Sequence, residues 1–271
     1  MKTRIAFGVC GFAFVLLALY VFPPIVLYLC VSALCGLACY ELTGATGLVR
    51  ERSVVTLCTV LAVIYALSET LTDSTVLSEL ISLAILVSLF LHLLHKHEKM
   101  DFSQLASAYF GTVVLPTLLL SLVRIFGMRG GELLVLLPLV AAWGSDTFAY
   151  FVGVRFGKHK LAPLISPKKT IEGSVGGVVG AVVLMMGAVT LFNHHSAIDL
   201  PYWVAAILGA CGAVVGQLGD LAFSIIKRQT GIKDYGKIFP GHGGVLDRFD
   251  SVIFVAPVVE LLLRVLSENA R

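Results

Sequence analysis

Three acids near the end of the chain have the type and spacing of a metal site. Asp220 precedes the segment from Ser224 to Asp250, and Asp247 and Asp250 end that segment on one face of a helix, because they lie three residues apart. Carboxylates that converge from two helices suit Mg²⁺, which prefers a few carboxylates together with substrate phosphates and waters. We therefore predict that Asp220, Asp247 and Asp250 bind Mg²⁺, and we leave a second cation open.

The same segment carries the cations and glycines that a phosphate substrate needs. Its Lys and Arg residues are Lys227, Arg228, Lys233, Lys237 and Arg248. Lysines would repel a metal ion alone, whereas a metal ion and lysines can act together on a bound triphosphate. His242, Gly243 and Gly244 can bring backbone N–H groups close to a phosphate, since glycine removes the side-chain obstacle.

A second basic stretch, SPKKTIEGS, lies upstream of this segment. It places Lys168 and Lys169 between the hydroxyl groups of Ser166 and Thr170, and Pro167 restricts its backbone. Basic loops often reflect only membrane topology and attraction to lipid. Here the helix that follows can direct its positive N-terminal end at an anion, so we predict a second phosphate contact.

Asp146 lies near the end of a hydrophobic run, next to Ser145 and Thr147. An ionisable side chain in such a run is costly, which makes it a candidate for a functional site. The alternative is an interfacial acid that pairs with a nearby lysine.

The elements that position these residues must be membrane helices. The chain is 58% hydrophobic and 14% charged, whereas an average soluble domain is about 25% charged. A helix needs about 20 apolar residues to cross a bilayer. We predict an all-α, polytopic integral membrane protein with about nine transmembrane helices, at 5 to 22, 24 to 41, 53 to 67, 76 to 94, 105 to 126, 132 to 153, 173 to 193, 203 to 226 and 251 to 266.

The distribution of Lys and Arg predicts the orientation of these helices. With the N-terminus in the cytoplasm, sixteen of the twenty Lys and Arg residues fall on the inner side. Lys2 and Arg4 before an apolar run also describe a signal peptide, but the run continues through Pro23 and Pro24 into another apolar segment, so we expect a retained helix. Both basic stretches then face the cytoplasm.

We divide the chain into two parts on this basis. Residues 1–126 contain helices one to five, with lipid entry and an oligomer contact as alternative roles. Residues 127–271 contain the catalytic helices six to nine and the two basic cytoplasmic loops.

Other features predict structure rather than chemistry. Glu41 closes the second span near the interface, and we expect a helix-end group. The histidines between His92 and His97 share a short polar loop with two lysines, which disfavours a metal site. Glycines that recur in the seventh and eighth spans predict close helix packing, and the six cysteines predict small buried thiols.

The segment SIIKRQTGIKDYGKIFPGHGGVLDRFD resembles the characteristic motif of the phosphatidate cytidylyltransferases, also called CDP-diacylglycerol synthases. SPKKTIEGS is similar to a second element of that family, and the compact length resembles bacterial members. The matching positions of the main motif are Ser224, Lys227, Arg228, Lys233, Asp234, Gly236, Phe239, Pro240, His242, Gly243, Gly244, Asp247, Arg248 and Asp250.

The resemblance implies transfer of CMP from CTP to phosphatidic acid, which yields CDP-diacylglycerol and pyrophosphate with Mg²⁺ as cofactor. It places the site on the cytoplasmic face of a bacterial inner membrane, without nucleic acid, and leaves a homodimer open. We expect Asp146 to support the metal or a lysine, and Lys227 to be catalytic with the three metal-binding acids. The other expected substrate contacts are Ser166, Lys168, Lys169, Thr170, Ser224, Arg228, Lys233, His242, Gly243, Gly244 and Arg248.

Two other functions are compatible with the sequence. A related membrane transferase could use the same metal and basic loops with another acceptor, such as a polyprenyl phosphate. A secondary transporter would also contain buried acids and helices interrupted by glycine. The polar groups gather at one face of the membrane and no inverted repeat is evident, which disfavours the transporter.

Overall fold

A computed structural model describes residues 15–72, 75–195, 199–238 and 243–269. The predicted site residue His242 lies outside these ranges, as do Phe239 and Pro240. Most of the described chain is helical. The helices are α1 (Pro24–Tyr40), α2 (Arg52–Leu71), α3 (Thr75–His95), α4 (Phe102–Tyr109), α5 (Leu115–Leu119), α6 (Ser121–Phe126), α7 (Gly131–Leu134), α8 (Leu136–Phe156), α9 (Ile171–His195), α10 (Tyr202–Gln229) and α11 (Leu246–Asn269).

Seven helical segments in the described part of the chain are long and apolar enough to cross a membrane. They are Pro24–Ala45, Arg52–Leu71, Val76–His95, Phe102–Phe126, Gly131–Phe156, Ile171–His194 and Tyr202–Gln229. These segments match predicted spans two to eight, so the prediction of an all-α, polytopic membrane protein is confirmed. The count of nine and the side of the N-terminus stay predictions.

The first and ninth predicted spans have different outcomes. Most of the first lies outside the described residues, although residues 15 to 20 are helical. The ninth corresponds to α11, a helix of 24 residues that begins before the predicted span and includes Asp247 and Asp250.

Two spans contain a π-helical turn that the sequence did not predict. Glu41–Ala45 continues α1, and Phe110–Val114 joins α4 to α5. A π-helical turn breaks the regular hydrogen-bond pattern of an α-helix and is frequent at functional sites. Glu41, expected to be a simple helix-end group, is the first residue of one of these turns.

A small β-hairpin follows α8, where we expected an irregular loop. Its antiparallel strands are β1 (Lys160–Ala162) and β2 (Ser166–Thr170). Pro167 is tolerated because both strands of a two-stranded sheet are edges. The SPKKT residues thus form a strand that leads directly into α9.

The chain divides into two compact units. The first consists of Met1–Val123 and Gln229–Arg248, and the second of Arg124–Arg228 and Phe249–Arg271. The segment Gln229–Arg248, which the sequence analysis groups with the catalytic helices, therefore belongs to the unit of the N-terminal helices.

Small side chains allow close packing of α1 and α2 in the first unit. A Cβ atom on Gly36 would clash with the Val63 side chain on α2. Cys35, Cys39 and Cys58 are fully buried free thiols, as predicted for small apolar side chains. The prediction is wrong for Cys211, which is exposed, and Cys30 is only half-buried. Cys10 lies outside the described residues.

Glycines bring α8, α9 and α10 close together in the second unit. On α9, Gly176 lies against Val152 and Gly180 against Phe148, both on α8. On α10, Gly209 lies against the backbone of Val182 on α9. The prediction that these glycines are packing positions is confirmed.

Candidate functional site

Three acids from different helices of the second unit share a network of polar contacts. Asp146 lies on α8, Asp220 on α10 and Asp250 on α11. The Ser251 hydroxyl donates to Asp146 Oδ2 (3.2 Å) and is 3.5 Å from Asp250 Oδ1. Each carboxylate lies close enough to the others for electrostatic repulsion. The cluster therefore concentrates negative charge, which requires cations to balance it.

Two lysines supply part of that balance. The Lys169 ammonium, at the end of β2, forms an ion pair with Asp220, and its Nζ atom is buried. Lys227, near the end of α10, attracts the Asp250 carboxylate. Asp220 also accepts a hydrogen bond from the Ser224 hydroxyl at 3.2 Å, one turn along the same helix. Two ammonium groups thus face three carboxylates.

The β-hairpin holds Lys169 in place. Thr170 is buried, and its hydroxyl accepts from the Gly173 N–H (3.1 Å) at the start of α9. The Arg228 guanidinium donates to the Ile165 carbonyl (3.2 Å) in the hairpin turn. Lys168 is exposed, on the strand residue before Lys169. Of the neighbouring residues Lys168 and Lys169, only Lys169 is paired with an acid of the cluster in the described structure.

A buried polar network supports the carboxylates from inside the unit. The Gln217 amide donates to the Ser145 hydroxyl and to the Ser174 carbonyl, both at 3.1 Å, while the Ser174 hydroxyl donates back to Gln217. Ser145 precedes Asp146, and Gln217 lies one turn before Asp220. The network therefore fixes α8, α9 and α10 beside the charged cluster.

Asp247, the third predicted metal ligand, has a different environment in the first unit. Its Oδ2 atom accepts hydrogen bonds from the backbone N–H groups of Tyr235 (2.7 Å) and Gly244 (2.9 Å). Gly243 has a φ of 86°, a conformation that favours glycine, and a Cβ atom there would clash with the Asp247 carboxylate. In the described structure, Asp247 organises the loop that precedes α11.

The remaining predicted site residues divide by exposure. Ser166 is half-buried in β2, Ser224 is buried, and Lys233 and Arg248 are exposed. Gly244 is buried and directs its N–H group at Asp247. The structure thus brings Asp146, Asp220, Asp250, Lys169, Lys227 and Ser224 together in one unit, and it leaves Lys168 outside that cluster.

The donor set of the cluster fits a hard cation, because carboxylate and hydroxyl oxygens are the ligands that Mg²⁺ prefers. Within the described residues, no three His, Cys, Asp or Glu side chains are arranged as a complete metal site. Mg²⁺ is commonly held by one or two carboxylates plus substrate phosphates. A cation at this cluster would therefore complete its coordination with substrate oxygens.

The sequence profile of the cytidylyltransferase family matches residues 2–266. The chain belongs to this family. Similar curated proteins include the phosphatidate cytidylyltransferases of Bacillus subtilis, 48% identical over 128 residues, and of Staphylococcus saprophyticus, 43% identical over 129 residues. These matches cover 47% and 48% of this chain, and the chain spans about half the length of the curated relatives it matches, 46% and 48% respectively.

Several residues of this family member were not found by sequence reasoning. Ser251 lies next to an acid of the motif, but a lone serine carries no specific signal. Ser174 lies between Gly173 and Gly176, where the sequence pattern indicates close helix packing rather than a polar contact. Glu41 is 1% exposed and accepts hydrogen bonds from the N–H groups of Val245 and Leu246. Its partners are backbone groups 204 and 205 residues away, so no side-chain pattern could reveal them.

Proposed function

We propose that this protein transfers CMP from CTP to phosphatidic acid and forms CDP-diacylglycerol and pyrophosphate. The observation that carries the proposal is the cluster of Asp146, Asp220 and Asp250 with Lys169 and Lys227 in a member of the cytidylyltransferase family. Relatives of this chain bear the name phosphatidate cytidylyltransferase. Nucleotidyl transfer mainly requires aligned oxygens and neutralised charge, which such a cluster can provide.

The proposed reaction is an in-line displacement at phosphorus. An oxygen of the phosphatidate phosphate attacks the α-phosphorus of CTP, a new P–O bond forms, and the bond to the β-phosphate oxygen breaks. The leaving pyrophosphate takes the electron pair of that bond. Phosphatidate already carries an anionic oxygen near neutral pH, so no strong general base is required.

The charge of the cluster determines what must bind with CTP. Three carboxylates outnumber the two ammonium groups of Lys169 and Lys227, so the cluster alone would repel a triphosphate. Asp220 and Asp250 would hold Mg²⁺, with Asp247 as the third predicted ligand. When bound, the metal supplies neutralising charge and polarises the phosphoryl oxygens.

The lysines of the chain would bind the phosphate oxygens. Lys169 is held by its ion pair with Asp220, and its ammonium can also donate to a phosphate because it carries three N–H groups. Lys227, Arg228, Lys233 and Lys168 would contact the departing pyrophosphate or the lipid phosphate. Ser224 would orient Asp220 through its hydrogen bond.

The proposed location follows from the predicted topology. Both basic stretches fall on the cytoplasmic side of a bacterial cell membrane, where CTP is available. Phosphatidate could then reach the site from the inner leaflet with its acyl chains still in lipid. A homodimer remains open.

Purified protein in detergent tests the proposal. It is incubated with labelled CTP and Mg²⁺, together with phosphatidate, a polyprenyl phosphate or no lipid. We expect CDP-diacylglycerol and pyrophosphate only with phosphatidate, and loss of both products with a chelator. A product with polyprenyl phosphate alone would point to another transferase, and absence of pyrophosphate release with every lipid would contradict an enzyme of this class.

A further inference from the structure

Glu41 is a buried acid that the proposed reaction does not use directly. It is 1% exposed, and its two carboxylate oxygens accept separate hydrogen bonds, Oε1 from Val245 N (3.0 Å) and Oε2 from Leu246 N (2.8 Å). Leu246 is the first residue of α11. The first N–H groups of a helix have no partner within the helix, and they carry partial positive charge. Glu41 therefore caps α11 from a distant part of the chain.

The same carboxylate lies against the loop that precedes α11. A Cβ atom on Gly236 or on Gly244 would clash with the Glu41 carboxylate, so a side chain at either position would displace that carboxylate. The loop is thus held on both sides of the segment that contains residues 239–242. Tyr235 and Gly236 are fixed on one side, and Gly244, Val245 and Leu246 on the other.

Asp247 completes this arrangement. It accepts hydrogen bonds from Tyr235 N and Gly244 N, the neighbours of the groups that Glu41 contacts. The two acids therefore fix one short loop through four hydrogen bonds and through the close approaches of Glu41 to Gly236 and Gly244 and of Asp247 to Gly243. Because Asp247 lies in the first turn of α11, the position of its carboxylate depends on the hydrogen bonds that Glu41 accepts at the start of that helix.

We infer that Glu41 is a positioning residue for the proposed transfer. It holds the first turn of α11, and thereby the position of Asp247 and of the glycine backbone that is predicted to meet CTP phosphates. This inference rests on the proposed function. It assigns a role to the first unit of the chain, whose helices carried no chemistry in the sequence analysis.

A carboxylate is required for this role, because both oxygens must accept. The amide of a Glu41→Gln variant would present one oxygen and one NH₂ group to two backbone N–H groups. One hydrogen bond would be lost and two donors would face each other in a buried site. The shape of the side chain would be unchanged.

Glu260 offers a matched control among the buried acids. It is 7% exposed in the second unit, and both of its oxygens accept from Arg124 Nε at 3.0 Å. Glu260→Gln also neutralises a buried carboxylate, but it leaves the loop before α11 untouched. A general cost of losing a buried charge should therefore affect both variants.

The experiment compares Glu41→Gln and Glu260→Gln with the full-length wild type in detergent. Hydrogen exchange measured by mass spectrometry reports on the peptide that contains Val245 and Leu246, and steady-state kinetics with CTP and phosphatidate reports on function. For Glu41→Gln we expect faster exchange confined to that peptide and a kcat/KM for CTP that falls about tenfold or more. For Glu260→Gln we expect a lower melting temperature with unchanged kinetic constants for the folded fraction.

A second pair of variants tests the close approach to Gly236. Gly236→Ala should reduce kcat/KM in the wild type, because its methyl group clashes with Glu41. In a Glu41→Ala background the same methyl group enters vacated space and should cause little further loss. If the losses of kcat/KM from Gly236→Ala and Glu41→Ala were additive in the double variant, the close approach of Gly236 to Glu41 would be contradicted.

Two results would overturn the inference. The first is wild-type exchange and wild-type kcat/KM in Glu41→Gln. The second is a Glu41→Gln variant that behaves like Glu260→Gln, with a lower melting temperature but unchanged kinetic constants. If the wild type shows no CTP-dependent product, the proposed function fails, whereas the exchange experiment still decides whether Glu41 holds the start of α11.

Discussion

The acids of this protein differ in the kind of partner that each one has. Asp146 and Asp220 contact side chains, namely serine hydroxyls and a lysine ammonium group, and Asp250 contacts both the hydroxyl and the backbone N–H of Ser251. Glu41 and Asp247 contact backbone N–H groups. A lysine or serine can exchange a carboxylate for a phosphate by a small rotation, whereas a backbone group cannot. The first set therefore suits a site that binds and releases anions, and the second set suits a fixed frame.

This difference predicts distinct effects of two substitutions. Asp220→Asn should lower kcat about 100-fold at saturating Mg²⁺, because it removes a proposed metal ligand and the charge that pairs with Lys169. Asp247→Ala should also destabilise the fold by about 1–3 kcal/mol, because it leaves two buried N–H groups unpaired. Thermal unfolding and initial rates of both variants check this, and near-wild-type turnover in Asp220→Asn would contradict the site assignment.

Lys168 and Lys169 provide a matched pair in one strand. Lys169 is paired with Asp220, whereas Lys168 is exposed. Lys169→Met should lower kcat/KM for CTP by about 100-fold, since Asp220 loses its ion-pair partner and the substrate loses a phosphate contact. Lys168→Met should lower it by less than about tenfold, as expected for an exposed cation. Equal effects would show that the ion pair does not determine the role.

At the level of single residues, the sequence predicted the acids in apolar surroundings and missed the acid with backbone partners. Asp146 and Asp220 stand out because a charge in a membrane helix is costly. Glu41 also lies in a predicted span, but it is close to the membrane–water interface, where a charged side chain costs little and therefore does not indicate a functional site. Only the folded chain shows that its oxygens meet Val245 and Leu246.

Elements were predicted well where composition alone determines them. Spans two to eight follow from apolar length, because a helix is the way for a single segment to satisfy its backbone in lipid. The hairpin of β1 and β2 was missed because strands of three and five residues give no periodic signal. The π-helical turn at Glu41–Ala45 was missed since it changes the path of a helix without changing its composition.

Glycine packing on α9 gives a prediction at this scale. Gly180 faces the Phe148 ring and has no room for a Cβ atom, whereas nothing lies within 4 Å of a Cβ atom at Gly187. Gly180→Ala should destabilise the fold by about 1–3 kcal/mol through overpacking. Gly187→Ala should be neutral or stabilise it by up to about 1 kcal/mol, because alanine favours a helix more than glycine does. Thermal unfolding in detergent distinguishes them, and equal shifts would contradict close packing of α8 and α9.

A salt bridge joins the start of α2 to the end of α3 and gives a pH-dependent prediction. The hydrogen bond from Lys96 lowers the pKa of Glu51 from 4.5 to about 2, with smaller contributions from Ser53 and His92. Because the pKa of Glu51 is lower in the folded state than in the unfolded chain, its ionised carboxylate stabilises the fold at pH values above the unfolded pKa of 4.5. This contribution is lost as the pH falls from about 4.5 towards about 2. Lys96→Met should return the pKa of Glu51 towards 4.5, which carboxyl NMR can measure. An unchanged titration would exclude this salt bridge.

At the scale of the whole molecule, the two compact units do not coincide with the predicted split into N-terminal helices and catalytic helices. From the sequence, we predicted chemistry for residues 127–271 alone. Gln229–Arg248, which contains most of the family motif, belongs to the same unit as the N-terminal helices. Contact with Glu41 explains why, since the loop depends on a residue from α1's continuation. The N-terminal helices are therefore a support for the motif as well as a membrane anchor.

Membrane topology gives the last prediction, because the proposed site requires both basic stretches to face CTP. Lys158 and Arg129 are both exposed and flank the predicted sixth span. The predicted topology places Lys158 in the cytoplasm and Arg129 on the other side of the membrane. In a variant whose native cysteines are replaced by alanine, Arg129→Cys should react with an impermeant maleimide in intact spheroplasts. Lys158→Cys should react only after permeabilisation, and a permeant maleimide should label both. Labelling of Lys158→Cys in intact spheroplasts would place the hairpin lysines away from cytoplasmic CTP and contradict the proposed reaction.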